Sequence, residues 1–155
     1  MKRFILIILA LLMAAPVSAY AAPLAGMPPV LDPNNIYAAD SPNSLSEVVK
    51  DDPELVYVPN FRSATVSVID PKTYKIIKTI KTKAGPQHVV PSWDLKTLWV
   101  NDNKGNYLTP IDPKTVSARK DIYVHDPYNL YFTPNGKYAV VMAESDKQIV
   151  FRDPH

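Results

Sequence analysis

The sequence predicts an all-β chain assembled from repeated four-stranded antiparallel sheets, and three observations carry that prediction. The first is self-similarity. Val56-Tyr57-Val58 followed by Val68-Ile69-Asp70-Pro71-Lys72-Thr73 returns as Leu98-Trp99-Val100 followed by Pro110-Ile111-Asp112-Pro113-Lys114-Thr115, every pair 42 residues apart. A second register carries Pro86 to Lys96 onto Pro127 to Lys137, and Asp112-Pro113 onto Asp153-Pro154, at an offset of 41. The second observation is the pattern inside a repeat. Short runs of β-branched and aromatic residues alternate with turn residues, and no apolar helical period is found beyond residue 21. The third is composition. The chain has 155 residues, 46% of them hydrophobic, with 16 prolines, 4 glycines and no cysteine. It can bury a core, but it excludes disulfide scaffolds, thiolate metal sites, c-type haem attachment and cysteine nucleophiles. Four antiparallel strands repeated about every 42 residues make the blade of a β-propeller.

Residues 1–21 read as an export signal, with a basic start at Lys2 and Arg3, an apolar run from Phe4 to Ala15, and small residues at Val17-Ser18-Ala19 and Ala19-Tyr20-Ala21. The run of about 12 apolar residues is short of the ~20 that span a bilayer. No cysteine follows it, so lipidation there is excluded. The expected product is extracytoplasmic, periplasmic or secreted, with no membrane anchor after cleavage. Removing Lys2 and Arg3 leaves 15 basic against 15 acidic side chains, so no broad basic surface is present to bind nucleic acid.

Residues 22–54 form a proline-rich acidic leader with six prolines and six acids against Lys50 alone. Such a stretch holds neither a long helix nor a ladder, and one helical turn is expected at Ser46 to Lys50. Residues 55–155 carry a net charge of +5 against −5 for the leader, which favours docking of the leader on the domain.

The domain divides into units at about 55–83, 86–124 and 127–155. In the complete middle unit the expected strands are Val89 to Ser92, Thr97 to Asn101, Tyr107 to Asp112 and Ala118 to Val124, with turns at Trp93-Asp94-Leu95, Asn103-Lys104-Gly105 and Asp112-Pro113-Lys114. The first unit begins at its second strand, and the last stops after its third. About 2.5 blades are therefore present where a closed ring needs at least four. The expectation is the N-terminal part of a longer propeller. The competing expectation is a half-propeller that self-associates through its uncovered sheet faces. Lys72, Lys75, Lys78, Lys81 and Lys83 are expected on or beside the exposed outer strand of the first unit, where lysines block edge pairing.

Val56-Tyr57-Val58-Pro59-Asn60, Val66-Ser67-Val68-Ile69-Asp70, Gly85-Pro86 and Thr133-Pro134-Asn135-Gly136-Lys137 resemble the YVTN-type (YncE-like) propeller repeat over residues 55–155. Pro59 stands where that motif has threonine, and Trp93-Asp94-Leu95-Lys96 replaces its Pro-Asp-Gly-Lys turn. The resemblance implies a protein usually found outside the cytoplasm, and a ring that is most often seven-bladed. The wider group holds simple binding propellers and relatives of haem d1, quinoprotein and lactonase enzymes, so fold alone does not select an activity.

In a propeller, the connection into each innermost strand and the loop between strands two and three share one face. This gathers Asn60, Arg62, His88, Asn101, Asp102, His125, Asp126, Tyr128 and Asn129 as candidate ligand-binding residues around a funnel. His88, His125, Asp102 and Asp126 carry donors suited to a borderline metal, without the close spacing of a chelating pair. No nucleophile elbow, glycosidase acid pair or phosphate-cradling loop is found. The function predicted is an exported, non-catalytic binding or scaffold propeller. Its partners would be further blades of the same product, or a second copy, with a protein or small-molecule ligand at the funnel. The alternative is the N-terminal part of a propeller oxidoreductase or hydrolase whose catalytic residues lie partly on other blades. Nothing in the sequence names a cofactor.

Overall fold

A computed structural model describes residues 30–35, 37–41 and 44–154. The predicted export signal lies outside them. Among the described residues no helix is long and apolar enough to cross a membrane.

Three antiparallel sheets follow one another along the chain. The first holds β1 (Val56–Asn60), β2 (Thr65–Asp70) and β3 (Lys75–Lys81) in that order. The second holds β4 (Pro86–Pro91), β5 (Leu98–Asp102), β6 (Tyr107–Asp112) and an outer strand in two pieces, β7 (Ser117–Ala118) and β8 (Ile122–Tyr123), both paired with β6. The third holds β9 (Pro127–Phe132), β10 (Ala139–Ala143) and β11 (Gln148–Arg152). These are the expected meanders, blades 1 to 3, with two differences. The outer strand expected as one run over Ala118 to Val124 is interrupted at residues 119–121, where the Arg119 amide still donates to the Pro110 carbonyl at 2.8 Å. Asn103–Gly105 closes as a 3₁₀ turn, because Asn106 takes a left-handed conformation (φ 59°) and donates its N–H back to Asn103.

The cores are seams between blades. Val66, Val68 and Ile80 of blade 1 pack on Val100 and Ile111 of blade 2, with Leu55, Tyr57, Val89, Leu98 and Val116 around them. Leu108 and Val124 pack on Leu130, Ala139 and Val141 of blade 3, flanked by Val90, Trp99, Phe132 and Val150. Strand alternation explains the split. Val89 and Val90, or Trp99 and Val100, are sequence neighbours and so face opposite seams. A sheet buried on both faces needs apolar side chains at successive positions, which is why blade 2 reads as continuous apolar runs. Outward faces keep exposed apolar side chains, Val56, Val58 and Ile77 on blade 1 and Ile149 and Phe151 on blade 3.

The backbone repeats as faithfully as the sequence. The described residues with positive φ fall into repeat-related sets: Ala64, Asn106 and Lys147; Tyr74 and Val116; Gly85 and Asp126; Leu95 and Gly136. The Asp-Pro-Lys-Thr turns show the cause. Asp70 Oδ1 accepts from the Lys72 amide at 2.8 Å and Oδ2 from the Thr73 hydroxyl at 2.9 Å, and Asp112 Oδ1 accepts from the Lys114 and Thr115 amides. These bonds hold both carboxyls below the usual carboxylate range. Each turn then exits through one left-handed residue. Tyr74 sits there at φ 57° while 87% exposed, so its ring returns little packing for the strain. Tyr74→Gly is expected to raise stability by about 0.5–1 kcal/mol, measured by urea unfolding.

The leader meets the domain at the same two turns. Lys72 Nζ lies 3.8 Å from Glu54 Oε2, and Lys114 Nζ lies 3.9 Å from Asp52 Oδ1. The Lys72–Glu54 pair is exposed on both sides and contributes under about 1 kcal/mol, whereas Asp52 is largely buried beneath Lys114. Where one helical turn is expected at Ser46 to Lys50, the chain forms a hydrogen-bonded turn and no helix, with the Val49 amide on the Ser46 carbonyl at 3.0 Å. Lys75, Lys78 and Lys81 stand exposed on the outer strand β3, whereas Lys72 lies in a turn and Lys83 in the linker to blade 2.

Candidate functional site

At one edge of the first two sheets, backbone hydrogen bonds tie loop to loop within each blade and tie the 84–85 linker to blade 2. The Thr82 amide donates to Ala64 at 2.9 Å, the Asn103 amide to Gly85 at 3.1 Å, the Gly105 amide to Ala84 at 2.8 Å, and the Val124 amide to Asn106 at 3.0 Å. These bonds, with that from the Ser145 amide to Asp126, bring the 61–64, 83–86, 103–106, 124–127 and 144–147 segments to one face. Gly85 is required in it: a Cβ there would stand 2.8 Å from Lys104 Cγ, in a backbone at φ 66°.

The two inner strands enter this edge through matching irregularities. Pro86 pairs with Asp102 and Val89 with Val100, so Gln87 and His88 bulge opposite Asn101. Pro127 pairs with Ala143 and Asn129 with Met142, so Tyr128 bulges at the equivalent place. A bulge re-aims side chains that a regular ladder would alternate. The His88 imidazole meets the Tyr128 ring edge-on, with centroids 5.3 Å apart, across the seam between blades 2 and 3. Asn101 faces the same seam, since it alternates with Val100, and it is wholly buried. Its amide nitrogen and oxygen both lack hydrogen-bond partners, as do His88 Nε2 and Asn103 Oδ1. Buried polar atoms are normally paired, so these four call for a partner that the chain itself does not supply, a water, an ion or another molecule.

The remaining candidates are tied into the scaffold. Asp126 is 4% exposed at φ 46°, the left-handed position that Gly85 holds one blade earlier. Its Oδ1 accepts from Asn103 Nδ2 at 2.6 Å and from the Ser145 hydroxyl at 3.2 Å, its Oδ2 accepts from the Ser145 amide at 2.6 Å, and its own amide donates to Asn106 Oδ1 at 2.8 Å. Burial alone would raise its pKa, but the bonds from Ser145 and Asn103 outweigh it and hold the carboxyl below its usual value. His125 Nε2 stands 2.9 Å from Asp146 Oδ2 in the open. Asn60 Nδ2 donates to Thr65 at 3.1 Å and Ser67 at 2.8 Å inside blade 1. Asn129 Oδ1 accepts from the Leu130 amide at 2.8 Å, and its Nδ2 donates to the Tyr131 hydroxyl at 3.0 Å. Arg62 is exposed. Asp102 turns away from Asn101 and faces the blade 1–2 seam with Val100.

The four residues with donors suited to a metal make different contacts: His88 with Tyr128, His125 with Asp146, Asp126 with Asn103 and Ser145, and Asp102 with Thr109. Among the described residues no group of three or more His, Cys, Asp or Glu is placed to hold a metal. Sequence reasoning missed Asn106, Thr109 and Asp121. The repeat offset carries a signal for the last two: Ser67 and Thr79 of blade 1 are replaced by Thr109 and Asp121 in blade 2. A groove of about 520 Å³ opens elsewhere, near the Trp93 and Gly136 turns, lined by Trp99, Leu108, Leu130 and Phe132.

The sheet order and the repeat agree with one family. A model of the YncE-like β-propellers matches residues 13–152. The chain belongs to the YncE-like β-propeller family. No curated protein matches it. Among solved structures, this YncE-like chain is similar to the dihydro-heme d1 dehydrogenase NirN, at 24% identity and a TM-score of 0.54 over 65% of this chain and 23% of that one. It is similar to Kuenenia stuttgartiensis hydrazine synthase at 19% identity and a TM-score of 0.52, over 64% and 32% of the two chains. A 6-phosphogluconolactonase candidate from Bacteroides fragilis matches at 19% identity and a TM-score of 0.50, over 65% and 35%. At such identities the likeness concerns fold. The chain spans about a third or less of the length of these proteins.

Proposed function

We propose that this chain belongs to an exported propeller that binds a small polar ligand at the funnel end of blades 2 and 3 and does not transform it. The observation that carries this reading is the set of unpaired buried atoms, His88 Nε2, both polar atoms of Asn101, and Asn103 Oδ1. They offer hydrogen-bond donors and acceptors, with the His88 ring against Tyr128. Nearby groups capable of acid–base work are engaged: Asp126 with Ser145 and Asn103, and His125 with Asp146. Such a site recognises hydroxyl, amide or carbonyl groups, and it lacks a free nucleophile–base pair. Export rests on the basic and apolar start of the sequence. The exposed apolar faces of blades 1 and 3 favour partners that cover them, either further blades of the same product or a second copy.

A second reading, a propeller enzyme with catalytic groups on other blades, draws support from the enzyme names of the similar structures. Two measurements on the full-length protein separate the readings. Thermal-shift screening against sugars, amino acids and short amides is expected to find a stabilising ligand whose effect disappears in the His88→Ala/Asn101→Ala double variant. The absorption spectrum of the purified protein is expected to be featureless above the aromatic band. Haem or quinone bands, or turnover of the bound ligand, would establish the second reading instead. Cell fractionation with N-terminal sequencing should place the mature start near Tyr20 or Ala22, and an intact Met1 in the cytoplasm would defeat export.

A further inference from the structure

The inner end of β5 carries a carboxyl group that the funnel does not use. Asp102 is fully buried, and its Oδ1 has no hydrogen-bond partner. Across the ladder on β6, the Thr109 hydroxyl oxygen lies 2.6 Å from Asp102 Oδ2 and 2.8 Å from Asp121 Oδ1. A hydroxyl has one hydrogen to donate. With both acids ionised, one of these two short contacts would oppose lone pairs, and on the Asp102 side no solvent reaches it. The two acids differ in compensation. Asp121 Oδ2 faces Lys83 Nζ at 3.2 Å, whereas among the described residues no cation pairs with Asp102.

The repeat supplies an internal comparison. Asn60 and Ser67 occupy the corresponding positions of blade 1, and Asn60 Nδ2 donates to Ser67 Oγ at 2.8 Å. There an amide brings the hydrogen that the contact needs. Blade 2 places carboxyls on both sides of the hydroxyl, and no amide there brings the hydrogen that blade 1 has. The interrupted outer strand makes this possible. Tyr107 pairs with Tyr123 and Leu108 with Ile122, which sets Asp121 opposite Thr109.

We propose that Asp102, Thr109 and Asp121 form a single-proton binding site in the seam between blades 1 and 2. Asp102 Oδ2 carries the proton and donates it to Thr109 Oγ1, Thr109 donates its own hydrogen to Asp121 Oδ1, and Lys83 balances the Asp121 charge. Losing the proton leaves an uncompensated carboxylate in the seam and loosens it. Burial is the main influence on Asp102 and pushes it up to about 6, opposed by the Thr109 hydroxyl and by the nearby Lys83 amide and Thr82 hydroxyl, which favour the ionised carboxyl without closing a hydrogen bond to Oδ1, and reinforced by Asp121. The ionisable groups facing Asp102 are Asp121, Lys83 and Tyr107, its partner on β6; β4 presents Pro86, and the linker presents Thr82 beside Lys83.

Because the folded value lies above the unfolded one, the stabilisation is complete below pH 4 and is lost as pH rises through about 6. Asp102→Asn gives Thr109 the amide donor that Ser67 already has. In urea unfolding of the full-length protein, the folded-to-unfolded ratio of Asp102→Asn relative to wild type is expected to grow roughly fiftyfold between pH 4 and pH 7. In wild type, carboxyl ¹³C spectra should show one aspartate titrating near pH 6, absent from Asp102→Asn and moved to lower pH in Asp121→Asn. That midpoint belongs to the coupled pair. No carboxyl titrating above pH 5, or a variant difference independent of pH, would overturn the proposal. So would stabilisation of wild type alone by millimolar Ca²⁺, which would assign the two carboxyls to a cation. The spectra decide even where a variant fails to fold, and neither measurement depends on the funnel ligand.

Discussion

Asp126→Ala lowers stability by about 3–5 kcal/mol, the largest loss expected from any polar side chain of the described domain. Hydrogen bonds to a charged acceptor contribute about 1.5–3 kcal/mol each. Asp126 receives them from Asn103 and from the amide and hydroxyl of Ser145. Alanine would strand these donors at the joint between the strand-two loops of blades 2 and 3, and would occupy φ 46° without the local tolerance of an aspartate. Asp126→Asn keeps that tolerance and one acceptor, so a smaller loss of about 1–2 kcal/mol is expected. The pH dependence has a definite sign. A lowered folded pKa means that the contribution is present above the unfolded value of 3.8 and is lost as pH falls through the lower folded value. Urea unfolding of wild type and both variants at pH 7 and pH 3 checks this. An Asp126→Ala loss under about 1 kcal/mol at pH 7 would show that the joint does not depend on the carboxylate.

Ile111→Ala is expected to cost about 3 kcal/mol, within the usual range for a cavity at a packed aliphatic site. Ile111 is 0% exposed and meets Val66, Val68 and Ile80 across the first seam. The two seams are separate clusters, so the damage should be local. Amide exchange should accelerate in β2 and β5 while β9 and β10 keep their protection. Uniform acceleration across all three sheets would mean that the seams melt as one unit. Trp99 offers the contrast, because it lies half-buried on the wall of the groove between blades 2 and 3, where a smaller side chain leaves space that solvent already reaches.

Much of the fold is legible in the amino-acid sequence, because it is written as repetition. Val58 and Ile69 recur as Val100 and Ile111 at one offset, and the Asp-Pro-Lys-Thr turns carry their own hydrogen-bond acceptors, so strands and hairpins follow from local chemistry. Positive-φ positions are only half legible. Gly85 and Gly136 announce them, but Tyr74, Leu95, Val116 and Asp126 take the same conformation because the ladders on either side leave the chain no other path. The interruption of the outer strand falls at Arg119-Lys120-Asp121, where lysine and aspartate are poor strand formers, and the contacts of Asp121 with Thr109 and Lys83 mark the break.

Of the nine candidate residues, the sequence alone determined that they share one edge of the sheets, because strand order and repeat length place those loops together. What each side chain does there was decided by tertiary structure. Asn101 and Asp102 are adjacent in sequence, yet one faces blade 3 with its amide unpaired and the other faces blade 1 beside a second carboxyl, because successive strand residues point to opposite faces of a sheet packed on both sides. His88 and Asp126 both look like ligands in the sequence, but the bulge leaves His88 Nε2 without a partner while a left-handed turn hands Asp126 to Asn103 and Ser145. Hydrogen-bond pairing depends on distances between residues 19 to 23 positions apart, which no local pattern encodes.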